Sequence, residues 1–209
     1  MKVIVFGATG SVGRLAVERM LNDGHRVTAF ARSPKTLQIG HPALTLWAGD
    51  AMDKDTVRNA VRGHDAVVIT LGAGMSRKSV IRSGGTLNVI EAMQAHGIRR
   101  LICQSTLGAH ESWGNLNFFW KRIMFGLLLR PVFRDHELQE SLVRASGLDW
   151  TIVRPSAFAD GPATGSYKEG FSPEERKLSL KIPREDIAAF LSRQLTDLRY
   201  RHHAVGISN

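Results

Sequence analysis

The chain has 209 residues, of which 43% are hydrophobic and 22% are charged. This length and composition are typical of one globular domain and exclude a disordered or fibrous protein. The 28 lysine and arginine residues outnumber the 19 acidic residues, so the formal net charge is +9. A positive net charge attracts anions. No basic block exceeds two or three residues, so we expect phosphorylated small molecules rather than nucleic acid as ligands.

The chain has no apolar stretch long enough for a membrane span. Residues 123–129 form an apolar stretch that is far shorter than the roughly 20 residues a spanning helix needs. The first residues enter a predicted strand directly and lack the layout of a signal peptide. The single cysteine, Cys103, is expected to be a buried strand thiol and cannot form an intrachain disulfide. We therefore expect a cytoplasmic protein.

Seven apolar runs of strand length alternate with amphipathic stretches, a pattern that predicts parallel strands joined by helices. The predicted strands are Lys2–Phe6, Arg26–Ala31, Leu44–Trp47, Ala66–Thr70, Leu101–Gln104, Trp150–Val153 and His203–Ile207. Helical spacing of apolar residues occurs at residues 15–21, 57–61, 87–93 and 138–143. Because the first and fourth strands are apolar almost throughout, helices are expected on both faces of the sheet. The sequence therefore predicts a doubly wound, mostly parallel α/β sheet in a single domain, residues 1–209.

The first strand runs into a glycine-rich turn, "VIVFGATGSVGR", residues 3–14. In this spacing the first glycine permits a tight turn, the second lets the backbone approach a pyrophosphate, and the third lets the helix pack closely on the strand. The first helical turn also presents free N–H groups and the positive end of the helix dipole. The turn predicts a dinucleotide site, whose candidate contacts are Gly7, Thr9, Gly10, Ser11, Val12, Gly13 and Arg14.

The end of the second strand indicates which dinucleotide binds. An NAD-binding protein usually carries an acid there for the ribose 2′-hydroxyl. The segment "VTAFARSPK" has no acid, and Arg32 and Lys35 suit a 2′-phosphate instead. Arg14 is expected to close the same pocket. We predict NADP(H) as the cofactor.

The turns after the third and fourth strands should complete the cofactor site, because ligands bind at the carboxyl ends of strands in such sheets. Asp50 and Ala51 follow the third strand and are expected to meet the adenine amino group. Leu71 and Gly72 end the fourth strand and are expected beside the ribose and pyrophosphate.

Motifs along nearly the whole chain resemble a known family. They are "FGATGSVG", "VTAFARSP", "GDAMD", "DAVVITLG", "VIEAMQAHGIRRLICQST", "RDHELQESLVRASGLDWTIVRP" and "GPATGSYK". The chain resembles the NmrA-like branch of the atypical short-chain dehydrogenase/reductase superfamily, and within it the flavin reductase/biliverdin reductase B type. The resemblance implies a Rossmann fold with NADP(H) bound across the strand ends.

Standard members of that superfamily reduce ketones with a Tyr-x-x-x-Lys pair, whose tyrosine donates a proton. Here the tyrosine and lysine positions fall on Val132 and His136, and the only tyrosines are Tyr167 and Tyr200. A ketone needs such a donor, whereas a flavin, tetrapyrrole or quinone delocalises the arriving charge. We therefore expect an NADPH-dependent reductase of a conjugated acceptor such as FMN, a biliverdin-like tetrapyrrole or a quinone. The alternative is a non-catalytic NADP(H)-binding regulator.

Two residues are candidates for a catalytic role. The resemblance implies that Ser105 lies beside the nicotinamide, where it contacts the carboxamide or the acceptor; a hydroxyl that caps the strand is the alternative. His136 is a candidate substrate contact, with an ordinary surface histidine as the alternative. Pro155, Ser156 and Phe158 are expected to line the nicotinamide. Ala157 replaces a histidine of the reductase type.

No metal site is expected. His202 and His203 are adjacent, so in a strand they would point to opposite faces, and no cysteine or acid sits at ligand spacing.

Residues 115–135 hold too many apolar groups for one helix stripe, together with four basic residues. The apolar residues include Phe118, Phe119, Trp120, Ile123, Met124, Phe125, Leu127, Leu128, Leu129 and Phe133. We expect the substrate region to be formed by residues 105–135 and 155–182. The apolar segment is interpreted as a helix and loop packed over the site or an aromatic substrate lid. The third interpretation is a membrane-surface or partner contact through residues 115–133.

Overall fold

The computed structural model of the chain describes residues 1–74 and 80–209. The strands are β1 (Lys2–Phe6), β2 (Arg26–Ala31), β3 (Leu44–Ala48), β4 (Ala66–Ile69), β5 (Arg100–Gln104), β6 (Asp149–Pro155), β7 (Ala157–Ala159), β8 (Lys168–Glu169), β9 (Lys181–Pro183) and β10 (His203–Ser208). The α-helices are α1 (Ser11–Asn22), α2 (Lys54–Val61), α3 (Ile81–Ala95), α4 (Arg130–Ala145) and α5 (Arg184–Arg193). A π-helix spans Phe119–Leu128, and short 3-10 helices span Pro34–Leu37 and His110–Asn115.

The main sheet has the strand order β3-β2-β1-β4-β5-β6-β10-β8. Its pairs are parallel except the last, in which β8 runs antiparallel to β10. The chain builds outward from β1 to β3 and then returns to the other side of β1 with β4. This reversal opens a crevice at the carboxyl ends of β1 and β4, where ligands of such sheets bind. The predicted Rossmann-type doubly wound fold is confirmed.

Side chains of β1 alternate between two cores, one on each face of the sheet. Val3 and Val5 pack in the core that contains α1 and α5. Ile4 and Phe6 pack in the core that contains α2, α3 and α4. The prediction that helices cover both faces is therefore correct, and the crevice is held between two packed layers.

All seven predicted strands are present, with ends that differ by one or two residues. Sequence periodicity missed the two- and three-residue strands β7, β8 and β9, and it missed α5. The strands are too short to show a period, since each is defined by a distant partner, β7 by β9 and β8 by β10. For α5 the signal was available: Glu185 and Asp186 occupy the first turn directly after Pro183.

The histidines beside β10 and the single cysteine do not form a metal cluster within the described residues. His202 precedes β10 with φ +59°, and His203 is the first residue of that strand, as predicted. The His202 ring contacts Trp150 edge to face. Within residues 1–74 and 80–209, no group of three or more histidine, cysteine or acidic side chains is arranged for a metal ion. Cys103 is buried as predicted, and burial raises the pKa of its thiol.

Across the same two ranges, no helix combines the length and the apolar character that crossing a bilayer requires.

Candidate functional site

The turn after β1 shows that its three glycines have different structural roles. Gly7 has φ +82°, and a Cβ there would lie 2.5 Å from the Thr70 carbonyl oxygen. A Cβ on Gly13 would lie 2.2 Å from the Gly7 carbonyl oxygen, so both positions are closed by the protein itself. A Cβ on Gly10 would meet its nearest atom, the Gly7 carbonyl oxygen, at 3.2 Å. Gly10 is exposed, and the space in front of it is less enclosed than at Gly7 and Gly13, although an added Cβ would still crowd the Gly7 carbonyl oxygen.

The N-terminus of α1 faces this space. Gly10 is its N-cap with φ −71° and ψ 164°, and no side chain caps the helix. Thr9 and Ser11 are exposed, whereas Val12 and Gly13 are buried against the strand. The N–H groups of the first turn thus have no side-chain acceptor and are suited to an anion.

Thr70 is a site residue that the sequence did not reveal. Its hydroxyl donates to the Phe6 carbonyl oxygen at 3.0 Å and lies 3.3 Å from the Gly7 carbonyl oxygen. It also provides the carbonyl that closes the space at Gly7. Thr70 therefore holds the glycine turn against the end of β4.

Two cations follow β2, as predicted. Arg32 and Lys35 are exposed, and their side chains have no hydrogen-bond or ion-pair partner within the described residues. Arg14 is also exposed, but its guanidinium pairs with Glu18 at 3.1 Å. Arg32 and Lys35 are thus free to bind a phosphate, whereas Arg14 must first leave its helical partner.

The turns after β3 and β4 lie at the same edge of the sheet. Asp50 accepts a hydrogen bond from the Met52 N–H at 3.0 Å, so this carboxylate shapes its own turn. The Ala51 carbonyl accepts from Asn88 at 3.0 Å. Leu71 is half-buried and Gly72 is exposed, so this turn remains accessible from the crevice.

Ser105 lies directly after β5, and Ser156 lies directly after the neighbouring strand β6. Their side chains are only 2% and 5% exposed, and neither hydroxyl has a hydrogen-bond partner. Their backbone N–H groups are held, Ser105 by the Val153 carbonyl at 2.7 Å and Ser156 by the Ile207 carbonyl at 3.0 Å. Buried hydroxyls without a partner are uncommon and destabilising, so both groups are candidates to bind a ligand.

His136 lies on α4, one turn after Val132. Its Nδ1 is buried and has no partner. Burial and the nearby Arg82 lower the pKa of His136 to about 3, so the ring is neutral at neutral pH. The His136 residue as a whole is half-buried, so both its role as a substrate contact and the alternative of an ordinary surface histidine stay predictions.

Arg82 and Asp135 join His136 and were missed by sequence analysis. Asp135 accepts hydrogen bonds from the N–H groups of Arg82 at 3.2 Å and Ser83 at 3.1 Å, and from the Ser83 hydroxyl. It thereby fixes the start of α3 on α4. Two buried guanidinium nitrogens of Arg82 have no hydrogen bond to any residue within 1–74 and 80–209, and burial lowers its pKa although Asp135 opposes the shift.

A cleft of about 40 Å³ lies beside Ser156. Its lining is mostly apolar and comes from both predicted substrate segments: Thr106, Leu107, Leu116, Trp120, Phe125, Pro155, Ser156, Ala157 and Leu180. Phe158 lies in β7, 42% exposed, with the Arg184 guanidinium 5.5 Å from its ring centre. The π-helix thus packs its inner side next to the carboxyl ends of β5 and β6.

Neither tyrosine of the chain lies on α4 near His136. The Tyr167 ring packs on Phe190 of α5, with ring centres 6.2 Å apart. The Tyr200 hydroxyl donates to Glu169 at 3.2 Å. Both phenols are therefore engaged elsewhere.

Comparison with known proteins agrees with this geometry. The sequence profile of a family described as NAD(P)H-binding matches residues 7–198. The UPF0659 protein YMR090W of Saccharomyces cerevisiae is 30% identical over 206 residues, which are 93% of this chain and 87% of the yeast protein. The Bacillus subtilis protein named uncharacterized sugar epimerase YhfK is 27% identical, over 95% of this chain and 92% of its own.

The crystal structure of the Escherichia coli O157:H7 anaerobillin reductase ChuY superposes with a TM-score of 0.81 at 26% identity, covering 100% of this chain and 97% of ChuY. The chain therefore belongs to the NAD(P)H-binding family.

Proposed function

We propose that the chain is an NADPH-dependent reductase of an extended conjugated acceptor, in the class of flavins, biliverdin-like tetrapyrroles and quinones. The observation that carries this proposal is the lack of a proton donor on α4. Val132 occupies the position of the superfamily's tyrosine, and His136, in the lysine position, is neutral with its Nδ1 buried. Asp135 accepts hydrogen bonds from the first N–H groups of α3, so its carboxylate is engaged with that helix.

The acceptor class follows from how charge develops during reduction. An isolated ketone develops a localised oxyanion, and a placed acid typically contributes about 10²–10⁴-fold to its reduction. A conjugated acceptor spreads the same charge over many atoms and takes its proton later from solvent. Orientation alone then supplies most of the catalysis.

Three parts of the site would bind the cofactor phosphates, orient the reacting groups and exclude water. Gly10 and the N–H groups of α1 hold the pyrophosphate of NADPH, which supplies the hydride when bound. Arg32 and Lys35 bind its 2′-phosphate. The hydroxyls of Ser105 and Ser156 orient the nicotinamide or the acceptor, while Pro155 and Phe158 pack beside it. The apolar cleft under the π-helix excludes water from the reacting rings.

The resemblance to the NmrA-like flavin reductase/biliverdin reductase B type supports the proposal, and so does the reductase name of ChuY. The epimerase name of YhfK points to chemistry on an alcohol. Oxidising an alcohol needs a base for the hydroxyl proton, and a buried histidine that stays neutral down to about pH 3 is a poor base. The rival function is an NADP(H)-binding regulator without turnover.

The cofactor preference is the first test. We expect NADPH to bind at least about tenfold more tightly than NADH, or about 1.4 kcal/mol. Arg32→Ala should remove most of this preference, because its guanidinium is exposed and unpaired. Calorimetric titration with both cofactors measures the effect. Arg26→Ala, an exposed arginine at the start of β2, is the matched control and should keep the preference. Equal affinities in the wild type would contradict the assignment.

The absence of an essential acid is the second test. Ser105→Ala and His136→Ala should each lower FMN turnover by no more than about tenfold to a hundredfold, at or below the cost of losing a general acid. Both variants should bind NADPH normally, because the phosphate contacts lie at the other end of the crevice. Steady-state kinetics measures the change. A loss of about four orders of magnitude in His136→Ala would show that a proton donor exists.

A further inference from the structure

The outer side of the π-helix exposes a continuous apolar surface. We define the 118–128 face as Phe118, Phe119, Ile123, Leu127 and Leu128, whose exposed fractions are 74%, 52%, 40%, 71% and 40%. The inner side of the same helix is covered, with Phe125 buried in a cluster that includes Leu107 and Phe133. The helix is therefore apolar on both sides, and only the inner side is covered by the protein.

Exposed cations flank this face in the sequence. Residues 112–134 contain four basic residues and no acid. Arg122, Arg130 and Arg134 are exposed and have no ion-pair partner in the part of the chain that the structure describes. The acids at the two ends of the segment are engaged elsewhere: Glu111 pairs with Arg144 and Arg154, and Asp135 holds the start of α3.

The chemistry of the 118–128 face limits what can cover it. A second copy of the chain would bring four more cations against these four, and the whole chain already carries +9. The exposed aromatic and aliphatic side chains offer no directional hydrogen bonds, and the charged residues within residues 112–134 are all cationic. Apolar side chains bordered by lysine and arginine are the combination that binds the surface of an anionic bilayer.

We propose that the 118–128 face docks on the surface of an anionic lipid bilayer. Phe118, Phe119 and Leu127 enter the boundary between headgroups and acyl chains, and Arg122, Arg130 and Arg134 contact the lipid phosphates. The contact is peripheral and reversible. It is independent of the proposed reductase function, because it uses the outer side of the helix rather than the cleft.

Vesicle co-sedimentation of the full chain tests this proposal. We expect binding to vesicles that contain phosphatidylglycerol, little binding to phosphatidylcholine alone, and release at high salt. Phe118→Ser/Leu127→Ser and Arg122→Glu/Arg130→Glu should each weaken binding by at least about tenfold. Unchanged NADPH binding in both variants shows that they remain folded.

Two control variants distinguish an effect of the 118–128 face on vesicle binding from an effect of net charge or of overall hydrophobicity. Arg26→Glu/Arg62→Glu changes the net charge by the same amount at residues that do not belong to the 118–128 face. Leu198→Ser removes an apolar side chain that is 55% exposed. Both should bind vesicles within about twofold of the wild type, because neither lies on the 118–128 face. The proposal is overturned if the wild type does not bind phosphatidylglycerol vesicles, or if the charge control loses as much as the face variant. Self-association that the Phe118→Ser/Leu127→Ser variant abolishes would assign the face to a second copy and would also overturn it.

Discussion

Gly10→Val is expected to abolish NADPH binding and to leave the chain folded. An added Cβ at Gly10 would lie 3.2 Å from the Gly7 carbonyl oxygen, which must give way slightly, whereas the nearest atoms at Gly7 and Gly13 lie at 2.5 Å and 2.2 Å. We expect the exposed turn to absorb this small shift, while the branched side chain fills the place of the pyrophosphate at the N-terminus of α1. Calorimetric titration should show no NADPH binding, while circular dichroism and the melting temperature stay close to those of the wild type.

Two further glycine variants make the test specific. Gly40→Val adds the same side chain where no atom lies within 4 Å of the new Cβ, and it should bind NADPH like the wild type. Gly13→Ala places a methyl group 2.2 Å from the Gly7 carbonyl oxygen and should instead destabilise the fold. If Gly10→Val retained NADPH binding, the glycine turn would be structural only.

Arg154→Met is expected to cause the largest loss of stability, about 3–5 kcal/mol in the free energy of unfolding. Arg154 is 1% exposed and Glu140 is fully buried, and their side chains are joined by a hydrogen bond of 2.9 Å from Nε to Oε1. Removing the guanidinium leaves the Glu140 carboxylate charged in the core without its partner. It also removes one of the two arginines that pair with Glu111, whose pKa is lowered to about 2 because hydrogen bonds from Arg154 and Arg144 outweigh the effect of burial.

Urea denaturation measures this loss against two controls. Arg144→Ala removes an exposed arginine of the same network and should cost less than about 1 kcal/mol. The double variant Arg154→Met/Glu140→Leu should recover most of the stability, because replacing a whole buried ion pair by apolar groups is often neutral. An Arg154→Met variant within about 1 kcal/mol of the wild type would show that the pair contributes little.

The sequence predicted what is encoded locally. Each of the seven parallel strands of the main sheet has its own apolar run, and the glycine spacing and the basic end of β2 are contiguous motifs. The missed features depend on residues far apart in the chain. Thr70 holds a turn that lies 63 residues before it, and Asp135 fixes a helix start 52 residues before it. No local pattern marks such residues, because their roles arise only when α3, α4 and β4 pack at one edge of the sheet.

The unusual features of residues 115–135 were recognised, but their structure was not. A surplus of apolar residues predicted coverage of the site and a surface contact, and the inner side of the segment does line the cleft. A ten-residue π-helix could not be predicted, because π-helices are rare and have no established sequence signature. The membrane-surface contact stays a prediction, now confined to the outer side of this helix.

An acceptor survey tests the central claim most directly. The oxidation of NADPH is followed by its absorbance, with wild-type protein and the Gly10→Val variant as the control for uncatalysed reduction. FMN, biliverdin, a soluble quinone and a simple ketone are compared under the same conditions. We expect at least one conjugated acceptor to be reduced well above the rate with Gly10→Val, and the ketone hardly at all. Reduction of the ketone as the best substrate would contradict the account, and no turnover with any acceptor would favour a non-catalytic NADP(H)-binding regulator.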